Sequence, residues 1–290
     1  MLKKLFLTVA LLLAFTVGSA QSNDKIVVST AEKGTFQKYD LPSENWFSLH
    51  PTPVDQGDMI AGDFNQDGYS NLVMSFDDGI WFWSPNQLGT FQPTPAYLHW
   101  HWMDPYQAYQ LAAGDVDGDG FIDMIGTWFN GTWMYSFKKD AWIQLTTYEN
   151  TGDIAAGDFD GDGRADVASV WPDGLWVQNG ATLKWTKIDG VGADQLAAGD
   201  ITGDGTDELI ATYPEYGIWY YDFVTDTWTE MIELYTPGPI TSGDYDGDGK
   251  DDVASIWSDG LWFQSGADLT WTWLSTNMPY TIINITTERE

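Results

Sequence analysis

The sequence predicts an all-β fold, a β-propeller of six four-stranded blades. Three observations predict it. An acidic phrase, D-x-D-x-D-G-x-x-D or a close variant, occurs five times, each time after a Gly-Asp pair and before a short apolar run. The repeat returns every 42 to 52 residues with aromatic residues at fixed offsets. No stretch shows sustained helical periodicity. Four-stranded units of this length stack radially as propeller blades, because one such sheet cannot bury both of its faces alone.

The chain opens with Met1-Leu-Lys-Lys, an apolar run from Leu5 to Val17, and Gly-Ser-Ala20. A basic start, a short apolar run and small residues read as a secretory signal peptide cleaved near Ala20. The run is too short to span a bilayer. The expected organisation is therefore a signal peptide over 1–20 and a single propeller domain over 21–290, secreted, periplasmic or at the cell surface. Lys25 to Gly34 reads as a second blade strand ending in a turn. Phe36 and Trp46 then take the third- and fourth-strand positions.

Five repeats come next. Their glycines are Gly62, Gly114, Gly157, Gly199 and Gly243. Fourteen residues after each lies an aromatic: Phe76, Trp128, Trp171, Tyr213 and Trp257. Five or six further on come Trp81, Trp133, Trp176, Trp219 and Trp262. Nine or ten beyond those come Phe91, Trp142, Trp185, Trp228 and Trp271. Turn pairs such as Asp78-Gly79 and Asn130-Gly131 separate the first two columns. Each repeat thus reads as strands a to d, with the acidic loop between a and b. Tyr280 to Thr286 is left over where a further strand a should fall. A closed ring removes exposed sheet edges, so this strand is expected to complete a sixth blade with the N-terminal b, c and d. Five blades with ragged ends is the alternative.

The five loops predict metal sites. Alternate residues of a curling loop aim at one centre, and the Gly permits the turn that brings the ninth residue back to it. Positions one, three, five and nine are Asp115, Asp117, Asp119 and Asp123 in the second loop. They are Asp158, Asp160, Asp162 and Asp166 in the third, and Asp244, Asp246, Asp248 and Asp252 in the fifth. The fourth loop has Asp200, Thr202, Asp204 and Glu208. The first, with fewest carboxylates, has Asp63, Asn65, Asp67 and Asn71. The seventh residue varies freely (Tyr69, Phe121, Arg164, Thr206, Lys250), as fits a main-chain carbonyl ligand. Oxygen-only donors of this kind suit Ca²⁺, up to five ions in all. An EF-hand is excluded, because position twelve is Met74, Gly126, Ser169, Ala211 or Ser255 and cannot ligate.

These loops with their flanking strands resemble the FG-GAP, or VCBS-type, repeat of integrin α-subunit propellers, a fungal calcium-containing lectin and many secreted bacterial proteins. The resemblance covers roughly residues 60–265. It implies side-chain ligation by loop positions one, three, five and nine and carbonyl ligation by position seven. The Gly-Ala-Pro phrase of the integrin-type repeat is missing after strand b, so an integrin-like ligand mode is not implied.

A net charge of −31 argues against nucleic acid and anionic membranes as partners. With no cysteine, a secreted chain has no disulfide brace, and bound metal can take that role. Seventeen Trp exclude a disordered acidic tail. Phosphate loops, nucleophile elbows and zinc-protease helices are all missing.

The connection from Phe91 to Gly114 is longer than its sisters and contains Pro95 to Asp104. Tyr97, Trp100 and Trp102 could form a sugar-binding rim there. His99 and His101 could serve a metal or catalytic site, or the segment could simply cap the channel. The favoured reading is a lectin-like, calcium-binding module for carbohydrate. A protein-interaction or adhesion scaffold is the second reading, and a carbohydrate-active enzyme the third.

Overall fold

The computed structural model describes residues 25–30, 35–40, 45–48, 58–67, 71–84, 100–149, 152–233, 238–275 and 281–285. For 25–48, 274–275 and 281–285 the backbone alone is described. The expected signal peptide, Tyr69, Phe91, Tyr97 and His99 lie outside the described residues.

Three strands come first: β1 (Lys25–Thr30), β2 (Thr35–Asp40) and β3 (Asn45–Ser48). Five sets of four succeed them. The first set is β4 (Met59–Gly62), β5 (Asn71–Phe76), β6 (Gly79–Trp83) and β7 (Trp100–Asp104). The second is β8 (Leu111–Gly114), β9 (Asp123–Trp128), β10 (Gly131–Ser136) and β11 (Ala141–Thr146). The third is β12 (Ile154–Gly157), β13 (Asp166–Trp171), β14 (Gly174–Gln178) and β15 (Trp185–Asp189). The fourth is β16 (Gln195–Gly199), β17 (Glu208–Tyr213), β18 (Gly217–Asp222) and β19 (Thr227–Ile232). The fifth is β20 (Ile240–Gly243), β21 (Asp252–Trp257), β22 (Gly260–Gln264) and β23 (Trp271–Ser275), and β24 (Thr281–Ile285) ends the series.

The strands form six four-stranded antiparallel sheets, five in simple chain order and one ordered β24-β1-β2-β3. That last sheet sets Ser29 opposite Thr281 and Lys25 opposite Ile285. The expectation of six like blades is corrected to five blades described in full. Among the described residues, side chains that show a blade's packing, and the acidic loops, belong to the five sheets from β4 to β23. The sheet of the chain ends is defined by its backbone pairing alone.

A second correction concerns the first blade. Its outer strand is β7, with Trp83 opposite Trp100 and Trp81 opposite Trp102, not a strand at Phe91. Trp100 to Asp104 is thus part of the blade, and the extra length falls between strands c and d.

Strand b is buried along its whole length in β5, β9 and β17. It is covered on both faces by neighbouring sheets, which is why it reads as an unbroken apolar run instead of an alternating one. Leu72, Met74 and Phe76 face one side. Ile60, Val73, Met124 and Trp128 meet between the first and second blades. The Gly of each Ala-Gly-Asp phrase allows blades to approach here: a Cβ on Gly157 would lie 2.8 Å from Ala198 Cβ and 2.7 Å from Asp207 Oδ2.

The innermost strands β4, β8, β12, β16 and β20 line a central cavity of about 540 Å³. A residue at or just before the start of β4, β12 and β16 ties each to the next blade. Asp58 Oδ2 accepts from Leu111 N at 2.5 Å, Asp153 Oδ2 from Leu196 N at 2.8 Å, and Gln195 Oε1 from Ile240 N at 3.2 Å. The Gln110 carboxamide donates to Asp58 Oδ2 at 3.3 Å and to Asp153 Oδ1 at 3.2 Å. Burial pushes Asp58 up to about 6 and Asp153 up to about 7.

Candidate functional site

The second acidic loop shows how the local sequence builds a cage. Asp115 accepts from Asp119 N at 3.0 Å and from Gly120 N at 2.8 Å. Asp119 accepts from Phe121 N at 3.0 Å. Gly120 sits at φ 88°, a left-handed turn that glycine adopts without strain. The turn returns the chain so that Asp123 Oδ2 can accept from Val116 N at 3.1 Å and Asp117 N at 3.3 Å.

What remains is a set of acceptors without donors. Asp123 is fully buried, and its Oδ1 has no hydrogen-bond partner. Asp117 Oδ1 and Asp119 Oδ2 are likewise buried without one. Carboxylate oxygens of Asp115, Asp117 and Asp123 lie within 4.8 Å of one another. Burial, with the charge of Asp117 next, pushes Asp123 up to about 7. Lys139 Nζ, 2.5 Å from Asp117 Oδ2, offsets part of this charge from outside.

The other loops vary the theme. Asp158, Asp160 and Asp162 converge in the third loop and Asp244, Asp246 and Asp248 in the fifth, both within the same 4.8 Å limit. Asp166 and Asp252 lie at their bases, each pushed up to about 7, chiefly by burial. In the fourth loop Thr202 N and Oγ1 both donate to Glu208, at 3.0 and 3.2 Å, and Asp204 Oδ1 takes Thr206 N at 3.0 Å. In the first, Asn65 donates to Asp67 at 3.1 Å, and the buried Asn71 spends Oδ1 on Phe64 N, leaving Nδ2 where the second loop has an oxygen. Of the seventh-position side chains, Thr206 donates its hydroxyl to Asp204 Oδ1 within its own loop, while three others make contacts outside theirs. Arg164 Nη1 reaches Asp117 O at 2.8 Å, Lys138 Nζ lies 5.0 Å over the Phe121 ring, and Lys250 packs over Gly203.

Consecutive loops are also joined. The residue at position eight donates its N–H to the first-position carbonyl of the preceding loop: Ala165 to Asp115 at 2.8 Å, Asp207 to Asp158 at 3.0 Å, and Asp251 to Asp200 at 2.8 Å.

The opposite end of each strand b carries the aromatic columns. Strand-c tryptophans pin their indole N–H to the b–c turn: Trp81 to Asp78, Trp133 to Asn130, Trp176 to Asp173 and Trp262 to Asp259, all between 2.8 and 3.1 Å. These rings are half-buried. Between the first and second blades lies a slot of about 340 Å³, lined by Asp104, Tyr106, Trp128, Phe129, Asn130 and Trp133, with Trp142 behind. Tyr106 and Phe129 are 64% and 63% exposed, so two aromatic walls stand open to solvent.

The residues expected to bind ligand are only partly placed here. Trp100 packs inward on Phe76 at 6.0 Å and is not a surface platform. His101 is exposed on β7 opposite Phe82. Trp102 is 54% exposed and donates to Asp78 O at 3.3 Å, at the turn of the first blade. None of the three lines the slot, which begins two residues later. The signal for it was Phe129, a large ring in a b–c turn where the sister turns carry Asp77, Pro172 and Ser258.

Five stacked four-stranded blades around a channel define a β-propeller. Residues 63–126 match the FG-GAP-like repeat family, and the chain that carries this repeat folds as a β-propeller. No curated protein matches the chain in sequence. Among solved structures, one from a nidogen–laminin complex is similar at 8% identity and TM-score 0.63, covering 92% of this chain and all of that one. A lectin from Agrocybe aegerita that recognises non-reducing terminal N-acetylglucosamine is similar at 13% identity and TM-score 0.56, covering 92% and 77%. The extracellular domain of a two-component system protein, BT4673 of B. thetaiotaomicron, is similar at 12% identity and TM-score 0.55, covering 90% and 36%. At these identities the likeness shows the fold. Among the described residues no helix is long and apolar enough to cross a membrane.

Proposed function

We propose that this protein is an extracytoplasmic binding module, braced by calcium, that recognises carbohydrate in the slot between its first and second blades. The observation that carries the ligand class is the slot itself: aromatic walls with Asp104 and Asn130 at the rim. A pyranose offers an apolar face to stack on a ring and hydroxyls at its edge for a carboxylate and an amide. The carboxylate and the strong negative charge of the chain disfavour acidic sugars, so the fitting ligand is neutral or amino-substituted. The lectin among the structural relatives supports the class and no particular sugar.

Calcium fits the residues present. Loops two, three and five supply hard oxygen donors, and the orphaned Asp123 Oδ1 is an acceptor that a cation would satisfy. Asp115, Asp117, Asp119 and Asp123, with the Phe121 carbonyl, would hold it. Bound calcium supplies charge neutralisation and rigidity. The chain's own contribution is to orient the carboxylates through Asp119 N, Gly120 N, Val116 N and Asp117 N. The test is a glycan array with the protein in calcium, against the variant Trp133→Ala. Binding to neutral glycans that Trp133→Ala abolishes supports the reading. Capture of no glycan, with binding to extracellular proteins instead, overturns it in favour of an adhesion scaffold.

A further inference from the structure

The tryptophans that build the slot recur in other blades, but their arrangement differs. In the third blade Trp171 stacks on Trp176 with centroids 4.9 Å apart and planes at 29°. In the fifth, Trp257 stacks on Trp262 at 4.4 Å and 20°. In both, the strand-b ring covers the face of the strand-c ring. The second blade has the same pair, Trp128 and Trp133, and they make no such stack. Trp128 lies back along its strand, edge-on to Trp142 at 5.4 Å and 87°, with its indole N–H on Tyr106 O at 3.2 Å. No ring among the described residues stacks on Trp133, which is half-buried.

The difference traces to the residue two positions before the strand-b tryptophan, which shares its side of the sheet. It is directly opposite the strand-c tryptophan in each case: Ser169 faces Trp176, Ser255 faces Trp262, and Gly126 faces Trp133. In the third blade Ser169 Oγ accepts the Trp171 indole N–H at 3.0 Å; in the fifth, Ser255 Oγ and Trp257 Nε1 have no hydrogen-bond partner and the rings still stack, so the common element is the Cβ rather than the hydroxyl. Gly126 has neither the hydroxyl nor a Cβ. A Cβ there would lie 2.6 Å from Trp128 Cζ3 and closer still to Cη2. The ring of Trp128 therefore occupies the space that a side chain at 126 would fill; in the fourth blade, where Ala211 holds this position, the smaller Tyr213 takes the edge-on place, 5.9 Å and 78° from Trp228. Tyr106 follows the same logic. Its counterpart after the next outer strand, Tyr148, stacks on Trp171 at 4.7 Å and closes that blade, whereas Tyr106 is 64% exposed and stands clear.

We propose that Gly126 is the specificity-determining residue of the slot: its missing side chain lays Trp128 back and frees Trp133 and Tyr106 to clasp the flat face of a neutral or N-acetylated hexose. This rests on the carbohydrate reading for the ligand and not for the geometry. Gly126 has an ordinary extended backbone, and the third and fifth blades carry Ser at its position, while the first and fourth carry Met74 and Ala211. Gly126→Ser is therefore expected to fold.

The experiment uses the full chain in calcium, with Gly126→Ser, Gly126→Ala and the reciprocal Ser169→Gly. Two readouts are taken: the exciton couplet of stacked indoles in circular dichroism, and titration with neutral β-glucan and N-acetylglucosamine oligosaccharides, with a polyuronate as the acidic control. Gly126→Ser should strengthen the couplet and weaken neutral-sugar binding about tenfold or more, the size of a lost ring–ligand stack. Ser169→Gly should weaken the couplet. An unchanged couplet in both Gly126 variants, with sugar binding intact, overturns the role of Gly126. A strengthened couplet in a protein whose wild type binds none of the sugars keeps the role of Gly126 and overturns the carbohydrate reading.

Discussion

Replacing Asp123 by Asn should change stability in opposite directions with and without calcium. In the wild-type loop Asp123 Oδ2 holds two backbone N–H groups while Oδ1 faces other carboxylates with no donor. Asparagine keeps the first role through its own oxygen, as Asn71 does for Phe64 N, and turns an N–H toward those carboxylates. Without metal this relieves the crowding of like charges. The rise of Asp123 from 3.8 to about 7 corresponds to about 4 kcal/mol, at ~1.4 kcal/mol for each tenfold step in proton affinity. Water at the loop mouth screens this to about 2 kcal/mol. With calcium at about a thousand times its Kd, losing the site costs about 4 kcal/mol, so the variant ends about 2 kcal/mol worse than wild type. For a domain of this size each change is worth roughly 4 to 8 °C in Tm. The assay is thermal unfolding of both proteins in millimolar calcium and in chelator. Asp123→Asn should melt later than wild type in chelator and earlier in calcium. A change of the same sign in both conditions refutes the second loop as a metal cage. Asn71→Asp should mirror the effect, gaining stability only when calcium is present.

Three further outcomes are expected. Chelation should lower the wild-type Tm by several degrees, since each site contributes about 2.7 kcal/mol at a hundredfold excess over Kd; a fluorescence melt checks this. In fixed saturating calcium, Asp58 and Asp153 contribute a pH dependence at the channel mouth. Their folded pKa values are raised to about 6 and about 7, so the stability they add is complete below about pH 4 and lost as pH rises through those values. Urea titrations across pH 5 to 8 should show wild type losing stability with rising pH, and Asp153→Asn losing less. Trp102→Ala should leave sugar binding within about twofold, because its ring donates to Asp78 O outside the slot; isothermal titration beside Trp133→Ala separates the two.

The acidic loops and strand b were legible because both follow from spacing. Alternating carboxylates with a glycine at position six specify a turn, and an unbroken apolar run specifies a strand covered on both faces. The outer strand of the first blade was misplaced at Phe91, because an aromatic at the usual offset imitates the column while the strand that pairs with Trp81 and Trp83 begins at Trp100. The offsets of the aromatic columns said nothing of their exposure: hydrogen bonds to the b–c turns hold strand-c rings half-exposed, while in strand b Phe76, Trp128 and Tyr213 are buried and Trp171 and Trp257 half-buried. The slot was not legible from composition. It depends on how one indole tilts, and that depends on the residue two places before it and on the ring across the sheet.

The repeat copies the tryptophans from blade to blade but not the gap at Gly126. A ring of similar units would ordinarily offer several equivalent sites and gain grip by engaging many at once. Here Ser169 and Ser255 stand beside stacked rings, so the second blade alone has the laid-back indole among these three. Tight attachment to a surface would then have to come from clustering copies of the protein, and its grip would depend on their density.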